Sequence, residues 1–236
     1  MEIRAVLEYN QDGSLLWAEN VPGASSRGAT PEEAEGKLPA EVRRFLRWRD
    51  GSAPEQDFSV RVARKKESSL DIRDADSDLL LDSEKNPMTW EEYAGLKALV
   101  LRSAGDFQRL YDAVPDKGRT DLPERKTFYG EIPRTAEEMY RHTNGVSNYY
   151  IGELGAAFEN LPDILENRAL ALQMAESLPD FLQNRVTAGS FGELWSLKKA
   201  LRRFLWHDRI HAKALWRMAG RIWPDIPDPF CFGGTD

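Results

Sequence analysis

The sequence predicts a mixed protein, with a small α+β domain of sheet and one helix followed by an all-α domain of four helices. Near the N-terminus apolar and polar residues alternate, as in a half-buried strand. Beyond residue 88 apolar residues recur every three or four positions, as on one face of a helix. With 236 residues, of which 41% are hydrophobic, the chain is long enough for two cores. We expect the first domain over residues 1–65, a linker over 66–87, the helical domain over 88–223 and a tail over 224–236.

The first domain is expected to fold as a small antiparallel sheet with one helix. Residues 2–9 alternate between charged and apolar side chains, and the turn-forming residues 10–13 precede a second strand. Thr30 is a good helix N-cap, and Glu33 completes the capping box of a helix that ends near Gly51. Strands are therefore expected over residues 3–9, 14–19 and 58–62.

Four amphipathic helices are expected in the second domain, a pattern typical of a helical bundle. Three residue pairs form the capping-box pattern that begins a helix, and Pro179 follows the third helix. These pairs are Thr89 with Glu92, Thr135 with Glu138, and Ser190 with Glu193. The expected helices cover residues 90–114, 135–158, 163–178 and 190–222.

The composition disfavours several function classes. A net charge of −7 argues against a nucleic-acid partner, because phosphate backbones are bound by clustered cations. The arginines within residues 43–49 are interpreted as the solvated face of a helix. No apolar run reaches the ~18 residues of a transmembrane helix, and the N-terminus lacks a signal-peptide pattern, so we expect a cytoplasmic protein without membrane contact. The single Cys231 excludes an intrachain disulfide and a cysteine-based metal cluster.

The three histidines of the chain are its strongest functional signal. His207 and His211 are four residues apart in one expected helix, and His142 lies in another, each on or beside an apolar stripe. Residues four apart on a helix are neighbours, so these two imidazoles can bind one divalent ion while His142 supplies a third nitrogen. Three imidazoles would leave a coordination position open for water or substrate. The alternative is that these histidines lie on helix surfaces or in the core, satisfied by backbone carbonyls.

The neighbours of the histidines suggest further site residues. The glutamate of the zinc-protease pattern H-E-x-x-H is absent, since Asp208 follows His207. Asp208 could accept a hydrogen bond from a ligand histidine and so fix its tautomer. The alternative is a surface acid paired with Arg209 or Lys213. Five residues are candidates for the wall of a substrate pocket, with ordinary core packing or solvent exposure as the alternative for each. They are Tyr149, Tyr150, Asn144, Glu153 and Trp206.

The first domain resembles the HicB-like module over roughly residues 1–64. The resemblance rests on the strand pair, the turn VPG at 21–23, the helix start GATPEE at 28–33 and the returning strand. It implies an α+β interaction domain, best known as an antitoxin that covers a partner toxin, and hence a protein partner. The DNA-binding segment that HicB antitoxins usually carry has no recognisable counterpart in this sequence. A structural accessory role is the alternative.

The second domain resembles the DinB superfamily over about residues 74–223. The matching stretches are RTAEEMYRHTNGVSNYYIGELG around His142, WHDRIHAKAL around His207 and His211, and the lead-in DSDLLLDSEKNPMTWEEYAGL. The resemblance implies a four-helix bundle with an up-up-down-down connection. It also implies a three-histidine site for a divalent metal ion, nickel or zinc foremost, with iron or manganese as alternatives.

Characterised DinB relatives include bacillithiol and mycothiol transferases and a mycothiol-dependent isomerase. The resemblance therefore implies a metal-dependent transferase, isomerase or hydrolase that acts on a small-molecule substrate, with a low-molecular-weight thiol as its partner. The rival hypothesis is a non-enzymatic protein-interaction or metal-sensing protein that uses the HicB-like domain to bind a partner. A vestigial site closed by a fourth protein ligand is a third. Trp195 and Trp216, expected to be exposed, would allow a homodimer.

Overall fold

In a computed structural model the chain is described over residues 1–233, so the last three residues of the expected tail lie outside the described residues. The described chain is mixed α+β, with a four-stranded sheet and five α-helices. It divides into two compact units. The first contains residues 1–81, 127–129 and the tail from Phe230, and the second contains residues 82–126 and 130–229. Residues 66–81, expected as part of a linker, thus belong to the first unit.

The sheet of the first unit has the strand order β3-β2-β1-β4. β1 pairs antiparallel with β2 and β2 pairs antiparallel with β3, but β4 lies parallel to β1. The expectation of an antiparallel sheet is therefore wrong for β4. The reason is the helical crossover between β3 and β4, which returns the chain to the sheet in the direction of β1. The strands are β1 (Glu2–Tyr9), β2 (Ser14–Ala18), β3 (Ser25–Gly28) and β4 (Ser59–Glu67).

Helix α1 (Pro31–Asp50) covers the sheet and begins as its sequence predicts. The Thr30 hydroxyl accepts a hydrogen bond from the backbone N–H of Glu33 at 3.3 Å. The Glu33 carboxylate accepts from the N–H of Ala29 rather than of Thr30, so the capping box is displaced by one residue. Gly51 ends the helix with φ +80°, a left-handed conformation that favours glycine. The buried face of α1 consists of Ala34, Leu38, Val42, Phe45, Leu46 and Trp48.

The segment that follows β4 also packs on the sheet. Its short 3₁₀ turn Ile72–Asp74 contacts β2, which is buried at every position. The fully buried carboxylate of Glu8 accepts hydrogen bonds from the Trp17 indole N–H at 3.1 Å and from the Ser77 hydroxyl. The three leucines at 79–81 are buried as well. This segment is therefore part of the first core.

The second unit contains four helices, whose starts largely follow the predicted caps. The reciprocal hydrogen bonds of the capping boxes at Thr89 and Thr135 are both present, which confirms these two starts. Asp163 caps the third helix by accepting from two backbone N–H groups at 2.9 Å. The helices are α2 (Trp90–Ala113), α3 (Ala136–Gly152), α4 (Ile164–Glu176) and α5 (Leu197–Ile222).

Two helix ends differ from the sequence prediction. α3 ends at Gly152 rather than near residue 158, because the chain turns at Gly155, where φ is +97°. α5 begins at Leu197, capped by Ser196, and not at Ser190. The residues before α5 form a hairpin of two-residue strands, β7 (Thr187–Ala188) and β8 (Leu194–Trp195). A similar pair lies earlier in the chain, formed by β5 (Lys126–Thr127) and β6 (Gly130–Glu131).

Side-chain contacts fix the directions of these four helices. The Tyr93 hydroxyl near the start of α2 donates to Glu176 at the end of α4 at 2.9 Å, so α2 and α4 are antiparallel. Lys198 at the start of α5 pairs with Glu92 at the start of α2 at 3.4 Å, so these two helices are parallel. The Ile164 N–H donates to the hydroxyl of Tyr140, near the start of α3, at 2.9 Å. α3 and α4 are therefore also parallel.

The helix order is consequently up-down-down-up, and the expected up-up-down-down connection is wrong. The physical cause is the loop from residue 153 to 163, which runs back along α3 before α4 begins. The Asn160 side chain fixes this return by donating to the Gly145 carbonyl and to Asn148 Oδ1, both at 2.9 Å. Within residues 1–233 each helix is too short or too polar to span a bilayer.

Candidate metal centre

The three histidines converge, although 65 residues separate the first from the second. α3 supplies His142, and successive turns of α5 supply His207 and His211. One nitrogen of each ring lies within 4.8 Å of the corresponding nitrogens of the other two. The ring centroids are 4.5 to 5.0 Å apart. This three-histidine cluster could hold a metal ion.

The nitrogen spacing within the cluster fits a shared ion. The Nε2 atoms of His142 and His207 are 3.2 Å apart. Two nitrogens bound to one tetrahedral ion at ~2.1 Å would be about 3.4 Å apart, so this pair needs little movement. The same separation also fits an N–H···N hydrogen bond between two neutral imidazoles. The spacing alone is thus compatible with either arrangement, and the third ring is what distinguishes a cluster from a pair.

Burial favours the neutral form of two of the three imidazoles, which is the form that binds metal. Burial lowers the pKa of His142. Burial lowers the pKa of His207 well below its usual value, with further contributions from His211 and His142. A ring that stays uncharged near pH 7 has a lone pair available for an ion.

The coordination set consists of these three residues alone in the part of the chain that the structure describes. No fourth histidine, cysteine, aspartate or glutamate joins the cluster within residues 1–233. His207 is buried and its Nδ1 has no hydrogen-bond partner in the structure, although ligand histidines usually donate this N–H to a second group. Three nitrogens with no further protein ligand leave room for an exogenous one.

Asp208 serves neither of the roles proposed from the sequence. Its carboxylate is fully buried and accepts two hydrogen bonds from the guanidinium of Arg168 on α4, at 3.0 and 3.1 Å. The alternative of a surface acid paired with Arg209 or Lys213 is therefore wrong. The carboxylate of Asp208 also accepts no hydrogen bond from any of the three histidines. Arg168 also lies over the ring of Phe204, 3.9 Å from its centroid. The sequence analysis missed this ion pair.

The three aromatic candidates for a pocket wall lie among other side chains near α5. Tyr150 is buried, with its ring 5.1 Å from Phe204 and 6.2 Å from His207. Trp206 is buried and flanks His207 at 6.3 Å. Tyr149 packs edge-on against Trp195 at 5.6 Å, and burial raises its pKa to about 12. Trp195 itself is fully buried, so the expectation that it is exposed for dimer formation is wrong.

The two polar candidates hold loops in place. The Asn144 amide donates to the carbonyls of Leu161 and Pro162 at 2.7 and 3.1 Å and accepts from Asn167 at 2.7 Å. Glu153 is half-buried and accepts a hydrogen bond from the N–H of Ser190 at 2.5 Å. Both side chains thus have structural partners rather than a free pocket surface.

A cleft of about 510 Å³ opens beside His142, on the side of α3 where the chain arrives from α2. None of the five predicted wall residues lines it. Glu138 and Arg141 of its lining lie on α3, and the other charged residues belong to the segment before α3, which has no helical periodicity that would place them near the histidines. The lining consists of Glu124, Arg125, Lys126, Glu131, Ile132, Pro133, Arg134, Glu138, Arg141 and His142.

Comparison of the chain with protein-family models, with curated proteins and with solved structures finds no match. The resemblances to the HicB-like module and to the DinB superfamily therefore rest on the sequence motifs alone.

Proposed function

We propose that this chain is a divalent-metal-binding protein of DinB type that acts as a thiol S-transferase or isomerase on small molecules. The observation that carries the proposal is the convergence of His142, His207 and His211 from two helices. Nickel or zinc would suit three imidazoles, with iron or manganese as alternatives.

The arrangement of α2–α5 supports the proposed four-helix bundle. α2 packs against α4 and α5, and α3 packs against the same two helices, which closes a ring of four. The contact between α2 and α3 is smaller, so these two lie diagonally. The first unit, with its four-stranded sheet and one helix, supports the HicB-like assignment in the same limited sense. These assignments explain why a scarce residue type is concentrated in the interior of one unit.

The proposed chemistry follows from an open coordination position. A bound divalent ion would lower the pKa of a thiol and supply a thiolate at neutral pH. The protein would contribute three neutral imidazoles that hold the ion and a cleft that admits the small molecule. Tyr150 and Trp206, packed near His207, would keep water away from the buried side of the cluster.

Metal analysis of the untagged purified protein tests this proposal. We expect about one divalent ion per chain by inductively coupled plasma mass spectrometry, and almost none in His211→Ala. Arg217→Ala, an exposed change on the same helix, is the matched control and should retain the ion. Substoichiometric metal in the wild type, or an unchanged content in His211→Ala, would contradict metal binding.

Catalysis needs a separate assay. The metal-loaded chain should accelerate the consumption of a low-molecular-weight thiol by a small electrophile, and the same chain stripped with a chelator should not. A protein that binds one ion but leaves the rate unchanged would refute the enzymatic half of the proposal.

A second candidate is a non-enzymatic protein-interaction or metal-sensing protein that uses its first unit to bind a partner. The observation that favours it is β4, a nine-residue strand at the edge of the sheet, where another strand could add. Capture of a defined partner by the full-length chain, retained in His211→Ala and without any turnover, would support this candidate over the enzyme.

A further inference from the structure

The cleft beside His142 gives access to one histidine of the cluster, and its chemistry bears on the substrate. Its volume of about 510 Å³ suits a small molecule rather than a polymer. Both Arg141 and His142 line it, so a molecule held there can contact a charged side chain and a histidine of the cluster at once.

The lining of the cleft is rich in cations for a chain of net charge −7. Four cationic residues and three acids line it, and two of the acids are already engaged. The Glu138 carboxylate accepts from the N–H groups of Arg134 and Thr135 at the start of α3, at 2.8 and 3.1 Å. Glu124 pairs with the Arg134 side chain at 3.1 Å. The engaged acids are thus part of the scaffold of the cleft.

The cations of the cleft are held by exchangeable contacts. Arg141 pairs with Glu137 at 2.7 Å, but its side chain is 76% exposed. Lys126 and Glu131, which approach to 3.8 Å, are both largely exposed. Exposed ion pairs contribute only about 0–1 kcal/mol, so an incoming anion can compete for these cations. A guanidinium is the group best suited to bind a carboxylate, because it can donate two parallel hydrogen bonds.

We propose that the substrate of the metal site carries a carboxylate that Arg141 binds, with Arg134 as the second cation, while its other end reaches the ion at His142. This inference rests on the proposed function and names its substrate class, a small thiol with an anionic group. On binding, the thiol would release its proton to solvent and its sulfur would bind the ion, while the carboxylate replaces Glu137 as the partner of Arg141. Arg141 is thus a specificity-determining residue.

The test compares two thiols on the cobalt-loaded protein. 3-Mercaptopropionate carries a carboxylate and 2-mercaptoethanol does not, and both give a thiolate-to-cobalt absorption band from which Kd is obtained. For each thiol the Kd of a variant is divided by the Kd of the wild type, so the different thiol pKa values cancel. The variants are R141Q, R134Q and the double variant. R109Q is the matched control, because Arg109 is a similarly exposed arginine on α2 outside the cleft.

We expect R141Q to raise the Kd of 3-mercaptopropionate about fivefold, which is the upper range for one exposed charge pair. The Kd of 2-mercaptoethanol should not change. The double variant should raise the Kd of 3-mercaptopropionate further, and R109Q should change the Kd of neither thiol. Equal effects on both thiols, or no effect in the double variant, would overturn the carboxylate proposal while metal binding stands. Failure of the wild type to take up cobalt would overturn both, and metal analysis of the same sample identifies that case.

Discussion

The two units of the molecule differ in what they bury. In the described part of the first unit, the one buried charged residue is Glu8, and the other buried polar residues are the three serines Ser14, Ser26 and Ser77. The second unit buries several charged side chains among its helices. Arg168 pairs with Asp208, and Arg202 pairs with Glu84. Two of the three histidines, His207 and His211, lie on the same helix, α5, as Arg202 and Asp208.

This contrast indicates where the function lies. Buried charges are costly to desolvate, so a core that contains them is less stable than an apolar core of the same volume. Their concentration on α5 around His207 is consistent with a site that needs fixed polar groups more than maximal stability. The first unit follows the simpler pattern of an apolar core, which stability alone explains.

The largest expected effect comes from breaking the buried pair of the second unit. Arg168→Met would leave the carboxylate of Asp208 buried without its partner, and we expect a loss of about 3–5 kcal/mol in the free energy of unfolding. Chemical denaturation monitored by circular dichroism measures this loss. The double variant Arg168→Met with Asp208→Leu should recover much of it. A single variant as stable as the wild type would contradict the described pairing.

A smaller loss of stability is expected from a change at Glu8, the buried acid in the described part of the first unit. Glu8→Gln keeps the size of the side chain but removes the charge that accepts from Trp17, Ser77 and Lys66. We expect a loss of about 1–3 kcal/mol. Tryptophan fluorescence during denaturant unfolding and differential scanning calorimetry would measure this loss of stability. If this change destabilised the protein more than Arg168→Met, the contrast between the two units would be wrong.

The smallest expected effect concerns the second unit, where the free energy of unfolding should depend on pH in the alkaline range. Burial, with a hydrogen bond to Glu137, raises the pKa of Tyr111 from its usual value of 10.0 to about 12. Between these values the unfolded phenol ionises while the folded one keeps its proton, so stability falls as the pH rises. Tyr111→Phe should therefore lose less stability between pH 9 and 12, by denaturant titration, than the wild type. Tyr129→Phe, at an exposed position, should behave as the wild type does.

The parts of the fold that local chemistry determines were predictable. The capping boxes at Thr89 and Thr135 use hydrogen bonds between residues three apart, so the sequence alone fixes them. The ends that depend on tertiary contacts were not. Ser190 and Glu193 imitate a capping box, but the Gly189 N–H donates instead to the Glu193 carbonyl at 2.8 Å, within the β7–β8 hairpin. The direction of α4 depends on the Asn160 contacts of the returning loop, which no local pattern reveals.

The candidate site divides in the same way. Helical spacing predicts that His207 and His211 are neighbours, and the apolar stripe around His142 predicts that it faces inward. Arg168 could have been noticed, because it lies on the otherwise apolar stripe of α4 with Ile164 and Ala171. The cleft could not, because most of its lining comes from the segment before α3, whose path depends on how the chain returns to that helix.

X-ray absorption at the metal edge of the purified protein tests the central claim most directly. A metal centre built by His142, His207 and His211 predicts three imidazole nitrogens at ~2.0–2.1 Å from one ion, with at least one further, exchangeable ligand such as water. A spectrum with one imidazole or none, or with oxygen ligands alone, would show that the three rings do not share an ion, and the proposed function would fail with that result.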